Sequence, residues 1–158
     1  MRALKYVFIS KSVEDTSRLA VTLAGHLFPG SVITLEGPLG SGKTTFVGGV
    51  AKGLDIQERV ISPTFNILKC YFEARLAMFH IDAYRLENRD SELGLEEFIE
   101  GEGVTLIEWP NYILPLIPAN HLRIVIEPID EDSRRFTFES FGESYHNLVK
   151  KLQETHHV

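Results

Sequence analysis

The chain has 158 residues, 44% hydrophobic and 24% charged, with a formal net charge of -6 and a single cysteine, Cys70. That length fits one domain over 1–158, and the composition excludes disordered and fibrous classes. The acidic balance argues against a protein that binds nucleic acid by neutralising many phosphates, and a lone cysteine excludes an internal disulfide.

The N-terminal apolar run, Tyr6 to Ile9, is too short for a signal peptide or a membrane span but suits a short strand, so a cytoplasmic protein is expected. Ser12 then opens a helix with Glu14 and Asp15 in its first turn, where acids suit the helix dipole. Leu19, Ala20, Leu23, Ala24 and Leu27 recur at helical spacing until Phe28-Pro29-Gly30 stops the element. Val32 to Leu35 is a strand, and Thr44 to Gly53 is the helix after it. The β-rich runs Phe65 to Phe72 and Arg75 to Ile81 predict a hairpin. Val104 to Ile107, Leu122 to Ile126 and Arg134 to Phe138 are further strands, and Tyr145, Leu148, Val149 and Leu152 mark a closing helix. Continuous apolar strands alternating with helices predict an α/β fold whose sheet is covered on both faces, and the hairpin makes that sheet mixed. Residues 87–102 carry seven acids, Glu87, Asp90, Glu92, Glu96, Glu97, Glu100 and Glu102, against one base, Arg89. Such a run is a solvated face or a docking patch for a basic partner.

Between the strand ending at Leu35 and the helix from Thr44 lies Gly37-x-x-x-x-Gly42-Lys43-Thr44, the spacing and context of a phosphate-cradling P-loop. Backbone N–H groups must converge on phosphate oxygens there, which requires glycines with unusual dihedrals and no side chain in the way. Gly37, Gly40 and Gly42 provide this, and the following helix aims its positive end at the same anion. Lys43 would reach the β- and γ-phosphates and Thr44 would give its hydroxyl to Mg²⁺. The ion needs a further oxygen ligand, for which Glu108 and Asp82 compete, each at the end of an apolar strand. Two acids leave room for two roles, one on the metal and one positioning or activating water. Ser62-Pro63-Thr64-Phe65 is either a turn or a segment that senses the γ-phosphate, with Thr64 as its sensor. Lys11 and Ser12 are the candidates for base contacts. His80 is read as held by local hydrogen bonds or as catalytic, and Arg134 as a solvated arginine or one facing the nucleotide.

Four separated segments agree in order: Gly37 to Thr45, Ser62 to Phe65, His80-Ile81-Asp82-Ala83-Tyr84-Arg85-Leu86, and Leu106-Ile107-Glu108-Trp109-Pro110. Together they resemble the TsaE (YjeE) family, small bacterial ATPases of tRNA threonylcarbamoyladenosine biosynthesis. The specific part is His-x-Asp-x-Tyr-Arg-Leu with Glu-Trp. The resemblance implies a P-loop NTPase-like three-layer fold with a mixed central sheet flanked by helices. It also implies an ATPase, weak alone, that binds ATP/ADP and Mg²⁺ and works with TsaB and TsaD. In that system TsaC makes threonylcarbamoyl-adenylate and TsaD modifies adenosine 37 of tRNAs reading ANN codons, so tRNA would be met only through the complex. Carried over residue by residue, Lys43, Asp82 and Thr64 form the catalytic set, and Thr44 and Glu108 hold the metal. Gly37, Leu39, Gly40, Ser41, Gly42, Lys43, Thr44 and Thr45 bind nucleotide, with Trp109 beside the site; the motif does not set the base contacts, and Lys11 joins the nucleotide-binding set from its place near the first helix. The family usually has an acid after the first glycine and alanine before the second; here Pro38 and Ser41 stand there.

A small-molecule kinase would need a basic acceptor pocket and an arginine-bearing lid, but the region after the central strands is acidic. A GTPase would need an Asn-Lys-x-Asp base-reading segment, which the sequence lacks. A non-enzymatic, nucleotide-dependent binding module would keep Lys43 and Thr44 yet tolerate loss of Asp82.

Overall fold

The structure is a computed structural model that describes residues 3–38, 40–63, 66–86 and 94–156. Its frame is a seven-stranded mixed sheet. In chain order the strands are β1 (Leu4–Ser10), β2 (Val32–Glu36), β3 (Leu68–Tyr71), β4 (Met78–Asp82), β5 (Val104–Glu108), β6 (His121–Pro128) and β7 (Arg134–Phe141). In space they run β1-β7-β6-β2-β5-β4-β3. The centre, β6-β2-β5-β4, is parallel, and β1, β7 and β3 pair antiparallel. The expected hairpin is present as β3 and β4.

The side-chain patterns explain the layering. β4 and β5 are buried at every position and β2 at all but its last, as expected of strands covered on both faces. On one side lie the helices α1 (Val13–Ala24), α2 (Lys43–Gly53) and α4 (Glu143–His156), which enclose the main core with Ile33, Leu35, Leu106, Ile124 and Phe136. On the other side a smaller core around Val32, Ile81 and Ile107 is closed by the 3-10 turn Ala83–Leu86, the short helix α3 (Leu95–Ile99) and the 3-10 segment Pro110–Leu116. β1, β6 and β7 instead alternate between inward and outward residues, and Val7 and Ile9 are exposed. The second face is therefore covered over β2, β4 and β5, and open at β1.

Two features fix α1 beside the loop that follows β2. Ser12 caps the helix by accepting the Asp15 amide at 3.0 Å, which starts it where the sequence indicates; it ends at Ala24, before Leu27. Gly49 and Gly53 on α2 let the helices touch: a Cβ on either would lie 2.6 Å from the Ala20 Cβ or 2.5 Å from the Ala24 Cβ. α4 is tied to the sheet by the Tyr145 hydroxyl, which accepts the Val32 amide at 2.9 Å.

Candidate nucleotide site

Because β2, β4 and β5 are parallel, their carboxyl ends share one edge of the sheet, the usual place for a ligand in an open α/β fold. The loop after β2 turns sharply there. A Cβ on Gly37 would stand 2.5 Å from the Ile126 carbonyl oxygen and 2.8 Å from Ser41 Oγ, so only glycine fits. Gly42, at φ 103°, caps α2 without a side-chain hydrogen bond. The first-turn amides of α2 are thereby left for an anion, and the helix dipole favours the same charge.

A cleft of about 580 Å³ opens over this loop. It is lined by Gly40, Gly42, Lys43, Thr44 and Thr45 on one side, by Asp82, Glu108 and Trp109 from the strand ends, and by Ser12, Val13 and Thr16 from α1. Ser62, Glu131, Asp132 and Arg134 complete the wall.

Lys43 is buried, and its Nζ donates to the Gly37 carbonyl at 2.7 Å, stands 3.7 Å from Glu108 Oε1 and lies 4.8 Å from the Trp109 ring centre. Glu108 Oε2 is 2.6 Å from His80 Nε2. Burial alone would raise the Glu108 carboxyl, but the hydrogen bond and charge of His80, together with Lys43, bring it below its ordinary value. It is therefore ionised at neutral pH. Asp82 faces Glu108 across the β4–β5 ladder, and its Oδ1 accepts the Tyr84 amide at 3.1 Å. Trp109 holds a left-handed backbone, φ 58°, uncommon for a bulky residue, and packs against Tyr84 and Tyr112.

Of the residues expected in the site, Gly40, Gly42, Lys43, Thr44, Thr45, Asp82 and Glu108 meet in this cleft. Gly37 and Ser41 shape the loop from behind; Ser41 is fully buried. Lys11 is exposed, its amide bound to the Asp15 carboxylate at 2.9 Å, and it does not line the cleft; its neighbour Ser12 does. Leu39, Thr64 and Phe65 lie outside the described residues, as do Glu87, Arg89, Asp90 and Glu92 of the acidic run. Arg134 is half-buried and bonded to backbone carbonyls rather than free in solvent. Its Nε donates to the Ser41 carbonyl at 3.0 Å, and its Nη1 donates to the Asp130 and Ser133 carbonyls at 2.9 and 3.0 Å. It ties the β6–β7 turn to the phosphate-type loop.

Val13, Thr16, Glu131 and Asp132 were not expected. Thr16 had a signal, since it stands one helical turn after Ser12 on the same face. The two acids reach the cleft only through the β6–β7 pairing.

A family model described as threonylcarbamoyl adenosine biosynthesis protein TsaE matches residues 10–136. A tRNA threonylcarbamoyladenosine biosynthesis protein TsaE from Bacillus subtilis (strain 168) is 42% identical over 152 residues, 96% of this chain and 95% of the relative. One from Nostoc sp. is 39% identical over 141 residues, 86% of each chain. The crystal structure of YdiB from Bacillus subtilis superposes with a TM-score of 0.86 at 37% identity, covering 98% of both chains.

Proposed function

The chain belongs to the TsaE family, and from that premise we propose that it is a Mg²⁺-dependent P-loop ATPase serving threonylcarbamoyl modification of adenosine 37 in tRNAs reading ANN codons. It acts with a TsaB–TsaD pair rather than performing the transfer itself. The observation that carries the ATPase reading is the meeting of Lys43, Thr44, Asp82 and Glu108 in one cleft over the amino end of α2.

In this reading the loop amides and Lys43 bind the phosphates; Lys43 exchanges its contact with the Gly37 carbonyl for a phosphate oxygen. The donor set fits Mg²⁺, a hard cation that takes oxygen ligands and is held by one or two protein carboxylates together with substrate phosphates. Thr44 Oγ1 and the ionised Glu108 would hold it. When bound, the ion neutralises charge on the β- and γ-phosphate oxygens. Asp82 orients the attacking water and accepts its proton, and Trp109 keeps Lys43 against the loop. Val13, Thr16 and Arg134 line the wall that receives the nucleoside.

The proposal is tested by the ATP turnover rate of the purified chain, alone and with TsaB–TsaD. Slow hydrolysis that rises with the pair is expected; a rate unaffected by the pair would contradict the partner-regulated ATPase and favour a kinase, pursued by screening phosphate acceptors.

A further inference from the structure

His80 is 1% exposed and has no role in the steps above. On β4 it stands beside Leu106 of β5, so Glu108, two residues further along β5, is its diagonal neighbour on the same face of the sheet. An ionised carboxylate only accepts hydrogen bonds, so the 2.6 Å contact between His80 Nε2 and Glu108 Oε2 puts a hydrogen on Nε2. His80 Nδ1 is buried and has no hydrogen-bond partner among the described residues. Through Nε2 the ring is thus committed to Glu108, with no contact at Nδ1 among the described residues that would turn it elsewhere.

Glu108 therefore has one oxygen held from behind by a buried donor, while Oε1 is turned towards Lys43, 3.7 Å away. The Lys43 contact is one that a nucleotide would compete for; the His80 contact is not. The geometry points to His80 as a positioning residue that keeps Glu108 in a single orientation, with Oε1 presented to the cleft, so that the carboxylate is already aimed when the metal and nucleotide arrive. This rests on the reading of the cleft as a Mg²⁺–nucleotide site.

The test is the Mg²⁺ concentration needed to tighten binding of a non-hydrolysable ATP analogue, measured by calorimetry beside the analogue's affinity without Mg²⁺. His80→Gln can place an N–H near the position of Nε2, whereas the shorter His80→Asn cannot reach Glu108. Loss of such a supporting hydrogen bond weakens metal binding by roughly 10- to 100-fold. His80→Asn is expected to need at least about tenfold more Mg²⁺, with unchanged metal-free affinity, and His80→Gln to recover most of the loss. In a Glu108→Gln background His80→Asn should add nothing, because the carboxylate it positions is gone. Equal Mg²⁺ requirements in His80→Asn and wild type, equal losses in the Asn and Gln variants, or a full His80 effect in the Glu108→Gln background would each overturn the assignment. A wild-type chain that binds the analogue without any Mg²⁺ dependence would overturn the underlying site reading, and the role of His80 with it.

Discussion

Asp82 and Glu108 stand directly opposite each other at the carboxyl ends of β4 and β5, each only 6% exposed. Their surroundings suit different work: Glu108 is bonded to His80 and faces Lys43, whereas Asp82 accepts the Tyr84 amide. Adjacent carboxylates in different environments divide roles. Glu108→Gln is expected to weaken ATP binding about tenfold in the presence of Mg²⁺ and to leave metal-free binding unchanged. Calorimetry with and without the ion checks this; equal losses in both conditions would remove Glu108 from the metal.

Arg134 is the strut between the β6–β7 turn and the carbonyls of the phosphate-type loop. Hydrogen bonds from a charged donor contribute about 1.5–3 kcal/mol each when buried, and less where solvent reaches them, as it does here. Arg134→Ala should therefore lower ATP affinity about tenfold, equivalent to about 1.4 kcal/mol. Arg134→Lys should recover little, because an ammonium cannot span the same set of carbonyls. Fluorescent-nucleotide titration distinguishes this from a solvated arginine, for which both variants would bind like wild type.

At Gly37 the obstacle is steric. A Cβ 2.5 Å from the Ile126 carbonyl oxygen meets backbone that cannot swing away. Gly37→Ala is expected to lose about 1–3 kcal/mol of stability, the usual range for overpacking, and to bind ATP poorly because the loop must shift. Denaturant unfolding and ATP titration of one preparation check both effects; a variant with wild-type affinity would show that the loop tolerates the shift.

The Glu108 carboxyl also gives a pH dependence. Burial pushes it up, but His80 and Lys43 bring it below its ordinary value of 4.5. With a folded value below the unfolded one, the unfolded chain binds more protons in the window between them. The resulting stability is complete above the unfolded value and is lost as pH falls through the folded one. The stability gap between wild type and Glu108→Gln should therefore narrow from about pH 7 to below about pH 4. Denaturant midpoints across that range measure it, and a constant gap would contradict the assignment.

The central strands and the loop after β2 were legible in the sequence because each is a local pattern: continuous apolar runs such as Val104 to Ile107, and glycines at fixed spacing before Lys43. The elements closing the smaller core were not. Ala83–Leu86, Leu95–Ile99 and Pro110–Leu116 are too short to show a helical period, and the last contains Pro115. Lys11, expected as a base contact, is not among the residues that line the cleft, whereas Ser12, Val13 and Thr16, brought there by the turn from β1 into α1, are. The bond between His80 and Glu108 depends on the β4–β5 register, and the reach of Arg134 on the β6–β7 turn. The two bonds join residues 28 and 93 positions apart, separations that spacing along the chain does not encode.

The central claim is that the cleft hydrolyses ATP and does not merely hold it. Asp82→Ala tests this most directly, with ATP affinity and steady-state turnover measured on the same sample. Removal of a positioned general base costs roughly 10²- to 10⁴-fold in rate, so turnover should fall by at least about a hundredfold while affinity stays close to that of the wild type. Turnover retained in the variant would contradict the account and leave the cleft a nucleotide-dependent binding module.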